Sequence, residues 1–115
     1  MAKALLVVQT DVKDSSQEAE LNDWYDHDHL ADVLTTSGCT KASRYELYGP
    51  SAAGHAGYLA LYEFETDDPA TIVPSLTATL AERGVAGHVV QHPALDLVSM
   101  GVYTRRGEAE NRLER

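Results

Sequence analysis

Residues 58–65 read YLALYEFE, and this stretch is the clearest strand in the sequence. Its even positions hold Tyr, Ala, Tyr and Phe, while its odd positions hold Leu, Leu, Glu and Glu. Side chains of a strand alternate between the two faces of a sheet. The pattern therefore predicts that Tyr58, Ala60, Tyr62 and Phe64 share one face, which the other elements must cover.

The elements on either side complete a recognisable order. Apolar or alternating runs predict strands at 4–10, 40–48 and 95–104, and helices are predicted from 17 toward 28 and from about 69 to 82 or 83. Gly84 is expected to end the second helix, and residues 85–92 read either as a short strand or as irregular chain. The small residues of 49–57 predict a loop.

The order strand–helix–strand–strand–helix–strand predicts an α+β domain of ferredoxin-like topology, the split βαβ (βαββαβ) arrangement. Its antiparallel sheet carries helices on one face only, so the other face needs a cover. Pairing two such sheets makes a dimeric α/β barrel, and a homodimer is therefore expected. We expect residues 1–104 to form this domain and residues 105–115 to be a charged tail.

The first predicted helix contains a shift in apolar phase. Leu21, Trp24 and Tyr25 share one helical face with Asp28, at i, i+3, i+4 and i+7. The later apolar positions, Leu30, Val33 and Leu34, fall on nearly the opposite side of a straight helix. One unbroken helix would not bury both sets, so a bend or restart is expected near His29–Ala31.

Charge and composition argue against nucleic acid and membranes as binding partners and favour a small molecule. The 115 residues carry a net charge of −9, a field that repels nucleic acid and anionic membranes. Cys39 is the only cysteine, so no internal disulfide forms and a cytoplasmic location is favoured. The apolar run 4–8 is too short for a signal sequence, and no stretch approaches a transmembrane span. A neutral or weakly acidic small molecule is the expected substrate.

Three short segments carry a family resemblance: Trp24-Tyr25, Asp28-His29-Leu30 and Ala42-Ser43-Arg44-Tyr45. They resemble the EthD-like group of the dimeric α/β-barrel superfamily, and the likeness extends over residues 3–104. Ala31 and Ser37 depart from the group by standing where proline is usual, and Cys39 replaces an aromatic residue. The superfamily includes cofactor-free cyclases, monooxygenases, isomerases and haem-degrading enzymes, so the resemblance implies a fold and a pocket without choosing a reaction.

His29 is the first candidate for catalysis. A neutral imidazole can remove a proton near pH 7 and return it. On a straight helix Asp26 and Asp32 stand three residues away and could orient the ring, and Tyr25 could donate a hydrogen bond to an oxyanion. The alternative is a histidine that only holds the helix end by a hydrogen bond.

Asp28 is the second candidate. Burial beside Leu21 and Trp24 would raise the pKa of its carboxyl group and make it an acid or base. The alternative is that the helix bends and Asp28 caps the following turn.

Other residues are candidates for the pocket wall. Trp24, Tyr58 and Tyr62 would give an aromatic lining, and Arg44 could hold a carboxylate or an enolate. Alternatively, the aromatic rings are core or dimer interface and Arg44 pairs with a surface acid. His88 could line a pocket before the last strand, where it and His92 otherwise read as surface histidines.

Metal and cofactor chemistry are not expected. His27 and His29 point about 200° apart on a helix and cannot chelate one ion. No base is identifiable beside Cys39, which reads as a small buried hydrophobe rather than a nucleophile.

The resulting hypothesis is a cofactor-independent enzyme that acts by proton transfer on a small aromatic or polyketide-like carbonyl compound, as a cyclase, isomerase, decarboxylase or other lyase. A cofactor-free monooxygenase, a non-catalytic small-molecule-binding module and a haem-binding member of the superfamily stay open as alternatives.

Overall fold

The computed structural model describes residues 2–50 and 55–111. The predicted loop 49–57 and the tail 105–115 therefore lie partly outside the described residues. The elements along the chain are β1 (Ala2–Val12), α1 (Glu18–Trp24), a π-helical turn (Tyr25–His29), α2 (Leu30–Leu34), β2 (Cys39–Glu46), β3 (Tyr58–Thr66), α3 (Ile72–Val85) and β4 (Leu95–Thr104). Short 3₁₀ turns at Ser15–Gln17 and Pro69–Thr71 lead into α1 and α3.

The four strands form one antiparallel sheet in the order β2-β3-β1-β4. The two strands adjacent in sequence, β2 and β3, are neighbours, and β1 separates β3 from β4. This is the ferredoxin-like βαββαβ topology, so the predicted fold class is confirmed. The predicted alternation in β3 is also confirmed, because Tyr58, Ala60, Tyr62 and Phe64 are all buried on the helix-covered face.

The first predicted helix consists of α1, the π-helical turn and α2, and the π-helical turn accounts for its shift in apolar phase. A π turn has i→i+5 hydrogen bonds and inserts one extra residue, so it rotates every later side chain relative to the earlier ones. The backbone N–H of Leu30 accordingly bonds to the carbonyl of Tyr25. The helix is expected to restart near His29–Ala31, and α2 does begin at Leu30. The interruption itself, the π turn, begins at Tyr25.

The second predicted helix corresponds to α3, and it ends later than expected. Gly84 lies inside α3, which continues to Val85, so the prediction that Gly84 ends the helix is wrong. The chain turns at Gly87, whose φ of 99° suits a residue without Cβ. Residues 86–94 carry no strand, which leaves the irregular alternative.

The face of the sheet opposite the helices is open in the single chain and carries apolar side chains beside the charged Lys3, Glu63 and Glu65. Leu5 of β1 lies opposite Tyr103 of β4, and Tyr45 of β2 lies opposite Leu59 of β3. Tyr45 and Tyr103 are 54% and 63% exposed. Among residues 2–50 and 55–111, no helix is both long and apolar enough to cross a membrane.

Candidate functional site

The π-helical turn decides which side chains of the first helix reach the core. Tyr25 and His29 are buried, whereas Asp28 is exposed. In an unbroken α-helix Asp28 would follow Leu21 and Trp24 on the buried face, but the extra residue of the π turn gives that place to His29. The expectation of a buried Asp28 carboxyl group is therefore wrong.

His29 is enclosed by aromatic rings. Its imidazole stacks on Trp24 with ring centroids 4.6 Å apart, and it meets the ring of Tyr25 edge-on at 4.8 Å. Its Nδ1 atom is buried and has no hydrogen-bond partner. Burial, reinforced by the nearby positive charge of Arg44, lowers the pKa of His29 to about 4, although the carboxylate of Asp32 opposes the shift. The ring is uncharged at neutral pH.

Neither predicted aspartate orients this ring. The side chain of Asp26 bonds Arg44, and that of Asp32 bonds His88. The expected aspartate–His29 pair is therefore absent from the hydrogen bonds of the described residues. The aromatic packing on Trp24 and Tyr25 holds the imidazole instead.

Two tyrosine hydroxyl groups meet beneath the first helix. Tyr25 from the π turn and Tyr62 from β3 lie 3.1 Å apart, oxygen to oxygen, and both side chains are almost fully buried. Burial raises the pKa of both phenols, so they stay protonated and one of their two protons is free to be donated elsewhere.

Arg44 of β2 enters the same cluster between two aromatic rings. Its guanidinium carbon lies 4.3 Å from the ring centre of Tyr25 and 4.4 Å from that of Tyr58. The side chain is only 6% exposed. One nitrogen donates to Asp26 at 3.0 Å, as the alternative of an acidic partner anticipated, while Nε and Nη2 are buried without partners.

Tyr58 closes the cluster at its outer end. Its hydroxyl donates to Glu18 and accepts from the amide of Asn22, which ties β3 to α1. We call Tyr25, His29, Arg44, Tyr58 and Tyr62 the buried cluster. It contains most of the predicted site residues, and it combines aromatic walls, an uncharged imidazole and a guanidinium with free N–H groups.

The remaining predicted residues lie around a cavity on the outer side of the first helix, which we call the outer cavity. Its volume is about 730 Å³, and its lining includes Trp24, Asp28, Asp32, His88 and His92. His88 bonds the carboxylate of Asp32 at 2.9 Å. Trp24 separates this space from His29, and the predicted wall residues of the buried cluster, Arg44, Tyr58 and Tyr62, do not line it.

Sequence reasoning missed the pairing of Asp32 with His88. The two residues stand 56 positions apart, so no local spacing reports their contact. The available signal was Asp32 itself, a charged residue three positions after His29 on the helical face that also buries Val33.

The position of Cys39 agrees with its interpretation as a small packing residue rather than a nucleophile. It starts β2, is partly buried, and packs against the hydrophobic core. Burial raises the pKa of its thiol, which disfavours the reactive thiolate.

Neither a protein-family model nor a curated protein sequence matches the chain. Solved structures do match it. HapK from Hahella chejuensis aligns over 94% of this chain and 97% of its own, with a TM-score of 0.64 and 13% identity. MhuD from Mycobacterium tuberculosis, a heme-degrader with two hemes bound in its active site, aligns over 93% and 99%, with a TM-score of 0.63 and 16% identity.

An EthD family protein from Bacillus halodurans aligns over 96% of this chain and 100% of its own, with a TM-score of 0.51 and 13% identity. Structural likeness at such low identity reports fold rather than chemistry. The resemblance first read from three short segments is therefore matched in the whole backbone, and the chain has an EthD-like, ferredoxin-like α+β fold.

Proposed function

We propose that the chain is a cofactor-independent enzyme that acts by proton transfer on a small aromatic or polyketide-like carbonyl compound. Cyclisation, isomerisation, decarboxylation and aldol-type cleavage of such compounds share an enolate or phenolate intermediate. A protein that stabilises this anion and accepts the proton supplies what these reactions need.

The observation that carries the proposal is the unsatisfied guanidinium of Arg44. A buried polar group without a partner is unfavourable by about 1–3 kcal/mol, and more when it is charged. Asp26 uses one nitrogen, which leaves the Nε and Nη2 hydrogens for another acceptor. An enolate oxygen is the kind of acceptor that these donors would bind, because hydrogen bonds between ionised groups are short and strong.

Two further groups of the buried cluster support the same chemistry. The spare proton of the Tyr25–Tyr62 hydroxyl pair offers a neutral donor to the same oxyanion. His29 is uncharged at neutral pH and its Nδ1 has no partner in the fold, so the ring is available to accept or relay a proton. The negative charge formed on the substrate would in turn stabilise the imidazolium.

The aromatic surroundings support the substrate class that we propose. Tyr25 and Tyr58 present ring faces to the guanidinium, and Trp24 stacks on His29. Flat, largely apolar molecules pack well against such rings. A phenolic or polyketide-like ketone combines a flat ring with a carbonyl group that becomes anionic on losing a proton.

Replacing Arg44 by methionine is expected to weaken binding of a phenolate-type ligand about 10–100-fold, the effect of losing hydrogen bonds to a charged group. Met keeps much of the side-chain length without the donors. The measurement is calorimetric titration with a nitrophenol series above and below each phenol pKa. Arg105, which pairs with Glu108 on the surface, provides the control as Arg105→Met. Equal affinity of parent and Arg44→Met for the phenolates would remove the anion-holding role.

A panel of aromatic carbonyl compounds separates the enzyme from its alternatives. Each compound is tested for affinity and for product formation by the same preparation. Affinity without turnover across the panel would favour a non-catalytic binding module, and oxygen consumption during turnover would favour a cofactor-free monooxygenase. A Soret band that saturates on titration with haemin would favour the haem-binding alternative, which the likeness to MhuD makes worth testing.

We also propose that the chain forms a homodimer through the open face of its sheet. Light scattering is expected to give twice the chain mass of 12.5 kDa. Leu5→Glu places a second carboxylate beside Glu63, the cross-strand neighbour of Leu5 on that face, and is expected to yield monomer. Val85→Glu, on the exposed end of α3, is the matched control and should leave the dimer intact. A parent protein that is monomeric at micromolar concentration would contradict the barrel arrangement.

A further inference from the structure

His88 and Asp32 form a carboxylate–imidazole pair outside the buried cluster. The Nδ1 atom of His88 lies 2.9 Å from Oδ1 of Asp32. Asp32 is only 5% exposed, whereas the His88 side chain is half exposed. An ionised carboxylate has no proton to donate, so the imidazole donates through Nδ1. The lone pair of the neutral ring then lies on Nε2, which is the acceptor atom of a general base.

The loop that carries His88 is fixed on both sides of the residue. Gly87 makes the turn after α3, and the backbone N–H of His88 bonds the carbonyl of Arg83 at 2.9 Å. On the other side, the indole N–H of Trp24 bonds the carbonyl of Val89 at 2.8 Å. A base held in one orientation loses little entropy when it meets its substrate. The pair is therefore preorganised rather than a chance surface contact.

The outer cavity gives this pair room for a substrate. Its volume of about 730 Å³ accommodates a small aromatic molecule, and Trp24 and Val89 provide apolar lining. Its other lining residues include the carboxylates of Glu20, Asp23 and Asp28, and the described lining contains no Lys or Arg. This field repels anions.

We infer that the outer cavity is an acid–base site in which His88 removes a proton from a neutral small aromatic molecule and Asp32 positions the imidazole. The inference goes beyond the proposed function, because Arg44, Tyr25 and Tyr62 do not line this cavity. The buried cluster is built for an anion, whereas the outer cavity is built for a neutral or cationic molecule.

The elimination of 5-nitrobenzisoxazole tests this inference without knowledge of the natural substrate. Nε2 of His88 takes the proton on C3, and the C–H electron pair becomes part of a C≡N bond. The N–O bond breaks, and its electrons leave on the phenolate oxygen, which gives a coloured product. The proton ends on the imidazole and returns to solvent, so no other reactant is needed.

The full chain is expected to accelerate this reaction above the buffer rate. His88→Ala and Asp32→Asn are each expected to lower the protein-dependent rate by about 10²-fold or more, the range for losing a general base or its correct tautomer. His55→Ala removes an exposed histidine that does not line the outer cavity, and it is the matched control. Melting temperatures measured for all variants show whether a lost rate reflects lost folding.

A spectroscopic measurement keeps the inference testable if a variant folds poorly. Long-range ¹H–¹⁵N correlation spectra of the folded parent should show neutral His88 protonated on Nδ1, and Asp32→Asn should shift it toward the Nε2-protonated form. No acceleration by the parent, an undiminished rate in His88→Ala, or an Nε2-protonated ring in the parent would each overturn the inference. The buried cluster is tested with other probes, so either site can fail alone.

Discussion

Replacing His29 by alanine is expected to lower turnover of an aromatic carbonyl substrate about 10²–10⁴-fold, the range for losing a general acid–base. Substrate affinity should change much less, because an uncharged ring that receives the proton acts mainly in the transition state. The physical basis is the position of the imidazole, which is held between Trp24 and Tyr25 with an unpartnered Nδ1. Steady-state kinetics on the first substrate found in the panel provide the measurement.

The control for this variant is His27→Ala, two residues earlier. His27 is exposed, bonds Asp23 and lines only the outer cavity, so its loss should leave turnover in the buried cluster unchanged. The melting temperature and the dimer state of His29→Ala must match those of the parent. Near-normal turnover in a folded His29→Ala, together with its loss in His88→Ala, would place the base for this reaction in the outer cavity. Full activity in His29→Ala, His88→Ala and His92→Ala alike would end the case for histidine-based proton transfer.

The second large effect concerns stability and pH. His29 has a pKa of about 4 in the folded protein and about 6.5 in an unfolded chain. Between these values the unfolded state binds more protons, so the free energy of unfolding falls as the pH falls. We expect this one residue to contribute a loss of about 3 kcal/mol from pH 7 to pH 4, with most of it below pH 6.5.

Urea unfolding of the parent and of His29→Phe at several pH values isolates this contribution. Phenylalanine keeps a flat ring on Trp24 but cannot take up a proton, so the difference between the two pH profiles reports His29. The exposed His27 has its pKa raised, chiefly by a hydrogen bond to the backbone of Asp23, and its opposite contribution is common to both proteins. Parallel profiles for parent and His29→Phe between pH 4 and pH 7 would contradict the burial of a neutral imidazole.

Both predictions depend on the π-helical turn. A regular α-helix would bury Asp28 and expose His29. The structure has the opposite arrangement, in which His29 is buried and Asp28 is exposed. The π turn instead aligns Tyr25 with His29 on the inner face while the helix continues. Removing the inserted residue by deleting Asp28 would restore a regular turn, so the deletion should retain helix content while it changes the surroundings of the imidazole.

Local patterns in the sequence were sufficient for much of the fold. Alternation in β3 gave its buried face, and the bounds predicted for β4 match the structure. The order of the elements gave the sheet topology, because few arrangements satisfy short connections and one covered face. The phase shift between Leu21 and Val33 gave the interruption of the first helix. Its form did not follow, since a bend, a restart and a π turn all solve the same mismatch.

What the sequence by itself determined, then, was which elements form and which strand face is buried, because these depend on the periodicity of neighbouring side chains. It also placed Tyr25, Arg44 and Tyr62 among the candidates. Only the tertiary structure decided the partners: Arg44 between two rings, Tyr25 against Tyr62, and Asp32 against His88. These contacts join residues far apart in the chain, and their geometry depends on how sheet, helix and loop pack together, which local periodicity does not encode.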